Sequence, residues 1–256
     1  DAQAAHSLVG GVAQDTGYLF FGPGTQDEDA VAGHRSVVGE CQNRDRGVAP
    51  SVGGASVKAV SSQAAFGAVM LDLARGQTAF ADRLLTMAPD VTTTTSLAGF
   101  VNKRGVYTTG ESEPDNFKAA RAPGVQSINN FQKSAAGQHI ELGIAENNLL
   151  LLMAAAGLSA ELFGHRLFPI GTLYDPFVCR ALDSLIYGAY MQSRFMLVGT
   201  PSGLSLAPEG GAHQSIGTPL IGASVPNLLT YEPAFADEVK ATMHAGFDYM
   251  QADDGG

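Results

Sequence analysis

The chain has 256 residues, 45% of them hydrophobic and 16% charged, with a formal net charge of −10; that is length enough for one large core or two small ones, and the acidic balance excludes nucleic acid or an anionic membrane surface as the main partner. Cys41 and Cys179 are the only cysteines, far apart and without ligand spacing, so neither a disulfide framework nor a zinc site is indicated. The most apolar stretch, Leu149 to Ala160, ends at Glu161, short of the roughly 18 residues a membrane span needs, and with no signal peptide visible the expectation is a soluble cytoplasmic protein.

Residues 1–57 are rich in Gly, Asp and Gln, as in "FGPGTQDEDAVAGHRS", with only short apolar pieces such as "YLFF". They read as an irregular arm or the remnant of a preceding domain, without an assigned function. From Lys58 to the end, residues 58–256, the pattern is regular. "SQAAFGAVMLDLAR" sets Phe66, Val69, Met70 and Leu73 at helical spacing, with Gly76 as its stop. "RLLTMAPDV" reads as a buried strand feeding a loop, "GVQSINNF" as a weak strand and "HIELG" as a strand. A helix comes next, from Glu146 to about Ala160, then "RLFPIGTLY" as a strand, "DPFVCRALDSLIYGAYMQ" as a helix and "RFMLVGT" as a strand. The Gly-rich loop "PSGLSLAPEGGAHQSIGTP" precedes "PNLLTYEP" and a last helix, "AFADEVKATMHAGFDYM". Strands alternating with helices of this length predict an α/β fold, a mostly parallel sheet with helices on both faces.

"HIELGIAENN" is a strand-to-helix junction of the kind where open α/β sheets bind ligands. Gly143 permits the turn and Glu146 opens the helix, where the helix dipole and free backbone N–H groups favour a carboxylate. Read from the residues alone, Glu146 is either such a cap or a functional carboxylate set against an apolar wall.

Five stretches carry a resemblance, in order: "LLTMAPDVTTTT", "GQHIELGIAENN", "IGTLYDPFVCRALD", "SGLSLAPEGGAHQSIGTPLIGASVPNLLTYEPA" and "EVKATMHAG". Over about residues 62–250 the sequence resembles the pyrimidine-binding domain of thiamin diphosphate enzymes, most closely the homodimeric E1 component of 2-oxoacid dehydrogenases of the pyruvate dehydrogenase type. The resemblance implies that Glu146 hydrogen-bonds N1′ of the cofactor's aminopyrimidine, favouring the imino tautomer whose 4′ nitrogen takes the thiazolium C2 proton. It implies that Phe177 stacks on the aminopyrimidine, with Tyr174 lining the same pocket, and that His213 faces the substrate to bind its carboxylate or move a proton. Each has a plainer alternative: Phe177 in the core, His213 in a surface loop. Asp90 either points to the cofactor cleft or caps a turn; His139 either lines the cleft or ends a strand; Glu141 is a candidate partner for Glu146.

Transketolases of this superfamily read Glu-Asp-Gly where this chain has Glu209, Gly210 and Gly211, which tilts the choice from sugar donors to a 2-oxoacid. "HQSIG" lacks the first glycine of a nucleophile elbow, and no GxGxxG follows a strand. The Gly-Asp-Gly segment through which relatives hold magnesium and diphosphate does not occur, so no metal ligand is assigned and Mg2+ is expected on a domain outside this chain. The chain is thus expected to be a fragment or split subunit, stopping before its last strand and inactive alone. Its composite site would be completed by a diphosphate-binding domain or subunit in a homo- or hetero-oligomer. The reaction implied is decarboxylation of a 2-oxoacid with acyl transfer to a lipoyl-bearing acyltransferase; the alternatives are a transketolase-like ketol transferase and a non-catalytic assembly or regulatory subunit.

Overall fold

Both parities of the central strands are apolar, so each strand is buried on two sides, and a sheet of that kind must be sandwiched between helices. The computed structural model describes residues 18–21, 60–110 and 131–252. Its strands are β1 (Tyr18–Phe21), β2 (Leu84–Ala88), β3 (Val106–Tyr107), β4 (Lys133–Ser134), β5 (His139–Glu141), β6 (Phe168–Leu173), β7 (Met196–Gly199) and β8 (Leu229–Tyr231). They form one sheet in the order β4-β3-β5-β2-β6-β7-β1-β8. The six strands from β4 to β7 in that order are parallel; β1 runs antiparallel to both β7 and β8.

The α-helices are α1 (Ser62–Arg75), α2 (Ala98–Arg104), α3 (Glu146–Gly157), α4 (Ser159–Phe163), α5 (Leu182–Tyr190), α6 (Thr218–Ser224) and α7 (Ala236–Gln251). One face of the sheet packs Leu84, Ala88, Ile170, Met196 and Val198 against α1, α2 and α7; the other packs Met87, Leu173 and Leu197 against α3, α5 and α6. The strand residues divide by parity, as a two-residue side-chain period requires. β6 is buried at all six positions, which places it at the centre of the molecule.

The expected α1 is found with Phe66, Val69, Met70 and Leu73 all buried, Ser61 accepting the N–H of Ala64 and Gly76 closing the end. Four readings are corrected. "YLFF" is not part of an irregular arm: Leu19 and Phe21 are buried, and the strand lies between β7 and β8, a pairing no local period could reveal. The helix expected to run from Glu146 to about Ala160 ends at Gly157 and restarts at Ser159; Gly157 lies against Ser193 and the backbone of Arg194 with no room for a Cβ. The helix expected from Asp175 begins as a 3-10 helix over Asp175–Ala181, and only Leu182–Tyr190 is α-helical. The Gly-rich loop ends in α6, entered through Pro219 in the first turn, where the missing N–H costs nothing. "GVQSINNF" lies outside the described residues except for Phe131.

Candidate active site

The chain leaves β2 to one side of the sheet, returns through β5, and crosses over β2 to β6 by way of α3. The carboxyl ends of β5, β2 and β6 therefore meet where the direction of winding reverses, the place where open α/β sheets bind ligands. At that place Gly143 takes φ +65° and the chain turns into α3, whose first residue is Glu146. Glu146 is only 8% exposed, and Leu149, Leu150 and Met153 below it are buried. A carboxylate in that position needs a partner, and finds it in Arg180, whose Nη1 donates to Oε1 at 2.7 Å.

Arg180 comes from the 3-10 segment after β6. In a 3-10 helix residues three apart eclipse one another, so Tyr174, Phe177 and Arg180 form a single row. The Tyr174 and Phe177 rings stack with centroids 5.8 Å apart, and the Arg180 guanidinium carbon lies 3.8 Å above the Phe177 centroid, a cation–π contact. His213 completes the group, 5.1 Å from Phe177 and 6.2 Å from Tyr174 between ring centroids. The structure thus brings Glu146, Tyr174, Phe177 and His213 together. It adds Arg180, which sequence reasoning missed; its only signal was the three-residue spacing from Tyr174 and Phe177, silent until the segment is known to be 3-10.

The loop bearing His213 is held at its root. Asp175 Oδ2 accepts the N–H of Gly203 at 2.6 Å, and the Thr218 hydroxyl donates to the Asp175 carbonyl at 3.3 Å. Gly203 lies so close to the backbone of Ser215 that a Cβ has no space, which pinches the loop shut below His213. Gly210 and Gly211, at φ +73° and +55°, supply the left-handed turn just before it. Burial pushes the Asp175 carboxyl above its ordinary value, against the opposing pull of Thr218 and of the Gly203 N–H.

Asp90 and Glu141 belong to a neighbouring cluster. Asp90 stands exposed at the end of β2 with φ +63°, and its N–H donates to Glu141 Oε1 at 2.8 Å. Thr92 donates to Glu141 Oε2 at 2.5 Å. His139, fully buried, lies 3.0 Å from Thr86 through Nδ1 and 3.0 Å from Thr92 through Nε2, with Glu141 at 3.5 Å. Burial would raise the Glu141 carboxyl, but the bonds from His139, Thr92 and the Asp90 N–H outweigh it and hold the carboxyl below its usual value. Glu141 is therefore the partner of His139 and of the loop after β2, not of Glu146. That loop reaches the main group through Thr94, whose Oγ accepts from the Tyr174 hydroxyl at 2.8 Å. Among the described residues, no three His, Cys, Asp or Glu side chains converge as metal ligands, and no helix is long and apolar enough to cross a membrane.

The chain is similar to several known proteins. The pyruvate dehydrogenase E1 component of Cupriavidus necator is 30% identical over 125 residues, covering 48% of this chain and 14% of that protein. The pyruvate dehydrogenase E1 component of Escherichia coli is 26% identical over 171 residues, 66% of this chain and 19% of that protein. A 1-deoxy-D-xylulose-5-phosphate synthase from a Cyanothece species is 30% identical over 132 residues, 52% of this chain and 20% of the synthase. The chain spans about a fifth or less of the length of these relatives. The family model described as the pyruvate dehydrogenase E1 component middle domain matches residues 40–256. With most of its length matched, this chain belongs to the family of pyruvate dehydrogenase E1 component middle domains.

Proposed function

We propose that this chain is the pyrimidine-binding part of a thiamin diphosphate-dependent 2-oxoacid dehydrogenase E1 of the pyruvate type. The observation that carries the reading is the pairing of a buried carboxylate with an aromatic face: Glu146 and Phe177 together already hold a flat, delocalised, N–H-bearing group, the Arg180 guanidinium. An aminopyrimidine ring has the same flatness and an edge that hydrogen-bonds a carboxyl group, so these residues fit that end of the cofactor. When bound, thiamin diphosphate supplies a nucleophilic carbon and an electron sink for loss of carbon dioxide from the 2-oxoacid. Glu146 holds or releases a proton toward the ring edge, Phe177 and Tyr174 form the stacking wall, and His213 meets the substrate carboxylate or moves a proton. Asp90, exposed beside Glu141, lines the mouth of the cleft.

Magnesium and the diphosphate fall to a second domain or polypeptide, and the acyl group passes to a lipoyl-bearing acyltransferase in the cytoplasm. Exposed Ile144, Leu204, Ile216 and Leu220 lie on the segments that frame the site, and side chains of that kind support an oligomer interface there. The test is to purify the native assembly, quantify thiamin diphosphate and magnesium, and assay 2-oxoacid decarboxylation with wild-type chain and with E146Q. Stoichiometric cofactor and a decarboxylase activity that falls at least about 100-fold in E146Q support the reading. Activity on sugar phosphates alone would replace it by a ketol transferase. Full activity of E146Q would replace it by an assembly or regulatory role.

A further inference from the structure

Resting on the thiamin reading above, we propose that Arg180 is a resident plug of the pyrimidine subsite, a side chain that a bound aminopyrimidine must displace. Glu146 Oε1 is taken by Arg180 at 2.7 Å. The face of Phe177 is taken by the same guanidinium at 3.8 Å from the ring centroid, which is stacking distance, so a second flat group cannot share that face. Arg180 thus satisfies at once the two contacts that define the subsite, and does so by imitation: it is planar, delocalised, and presents N–H donors at its edge.

The imitation is incomplete in one respect. A guanidinium offers donors only, whereas a pyrimidine ring nitrogen is an acceptor and needs a proton from its partner. With Arg180 in place Glu146 faces a fixed cation; with Arg180 gone it is free to carry a proton toward the ring. Displacement and activation of Glu146 are then the same event. The plug has somewhere to go, because the Arg180 side chain is 45% exposed and its long stem can swing the charged head into water.

A site that is mostly plugged binds its ligand more weakly by the fraction of molecules that are open. If one molecule in about ten is open, removing the plug tightens binding about tenfold. The test uses the full chain and 4-amino-2,5-dimethylpyrimidine, which needs no diphosphate-binding partner, titrated by NMR against wild type, E146Q, R180M, R180Q and R180M/E146Q, with thermal melts to confirm folding. The expected result is about tenfold tighter binding by R180M and R180Q, with the gain lost in R180M/E146Q. In wild type the Arg180 side-chain signals, shifted upfield by the Phe177 ring, should move to solvent-exposed values as the pyrimidine is added. Equal or weaker binding by R180M and R180Q, together with weaker binding by E146Q, would make Arg180 a brace for Glu146; that overturns the plug and leaves the thiamin reading standing. Absence of saturable binding by every variant, with the Arg180 signals unmoved, overturns both.

Discussion

Asp175 Oδ2 and the backbone N–H of Gly203 meet at 2.6 Å, joining the segment that carries Phe177 to the loop that carries His213. Asp175 is 2% exposed and its Oδ1 has no hydrogen-bond partner. Its pKa is raised, so by linkage its contribution to stability is fully present below the unfolded value near 3.8 and is lost as pH rises through the folded value. D175N keeps an acceptor for Gly203 and removes the ionisation, so at pH 7 it should melt at or above the wild-type temperature. D175A strands the Gly203 N–H and should cost about 1–3 kcal/mol. Urea titrations of both variants at pH 7 check the two signs together.

The Glu141 cluster gives an acid limb of the opposite sign. A carboxyl held below its usual value stabilises the fold above about pH 4.5, and the contribution is lost as pH falls through the lower folded value. The stability difference between wild type and E141Q should therefore be largest near neutrality and shrink on acidification below that point. His244, lowered by burial against the opposing charge of Asp248, acts in a separate window: its contribution is full above about pH 6.5 and declines below it. Replacing His244 by Leu should flatten the stability profile between pH 5 and 7, roughly the range in which an ordinary imidazole titrates, and leave the lower limb alone.

Gly203 and Ser215 approach closely at the base of the His213 loop. Because a Cβ at Gly203 meets the Ser215 backbone, not a flexible side-chain end, G203A must push the loop open. The expected cost is about 1–3 kcal/mol, with the His213 ring displaced from Phe177. Loss of the contact between the His213 and Phe177 rings in NMR spectra, in a chain that still melts cooperatively, is the measurement.

If the proposed thiamin site is right, F177A should weaken cofactor binding to the assembled protein by about tenfold, the worth of one aromatic stacking contact, with a smaller change in turnover once cofactor is saturating. A binding isotherm for thiamin diphosphate beside a saturation curve separates the two.

How much of this was readable in the sequence depends on how far apart the interacting residues lie. Helix α1 announced itself because Phe66, Val69, Met70 and Leu73 repeat within one segment and Ser61 and Gly76 mark its ends. β2, β6 and β7 were legible as apolar runs of strand length. β3 and β4, two residues each, are too short to show any period, and α2 lies hidden behind a run of threonines. Within the site, Glu146 and its group of aromatic residues came from motif and order, and the structure brings them together. Arg180 did not, because its place over Phe177 depends on a 3-10 winding that the apolar pattern of "DPFVCRALD" does not distinguish from an α-helix. The bonds from Thr92 to His139 and Glu141 were equally hidden, since they join the loop after β2 to β5 across 47 and 49 positions of the chain.

The position of β1 bears on how the molecule is made. Tyr18 pairs with Gly199 and Leu19 with Tyr231, so the first of these strands to be synthesised finds its neighbours in the last two. Such long-range pairings close late in folding. Until then Leu19 and Phe21 have no sheet to join, and β7 and β8 have no strand between them. A clipped chain lacking those four residues exposes two strand edges at once, where another chain's extended segment can add. This short stretch, plain in composition, therefore fastens β7 to β8.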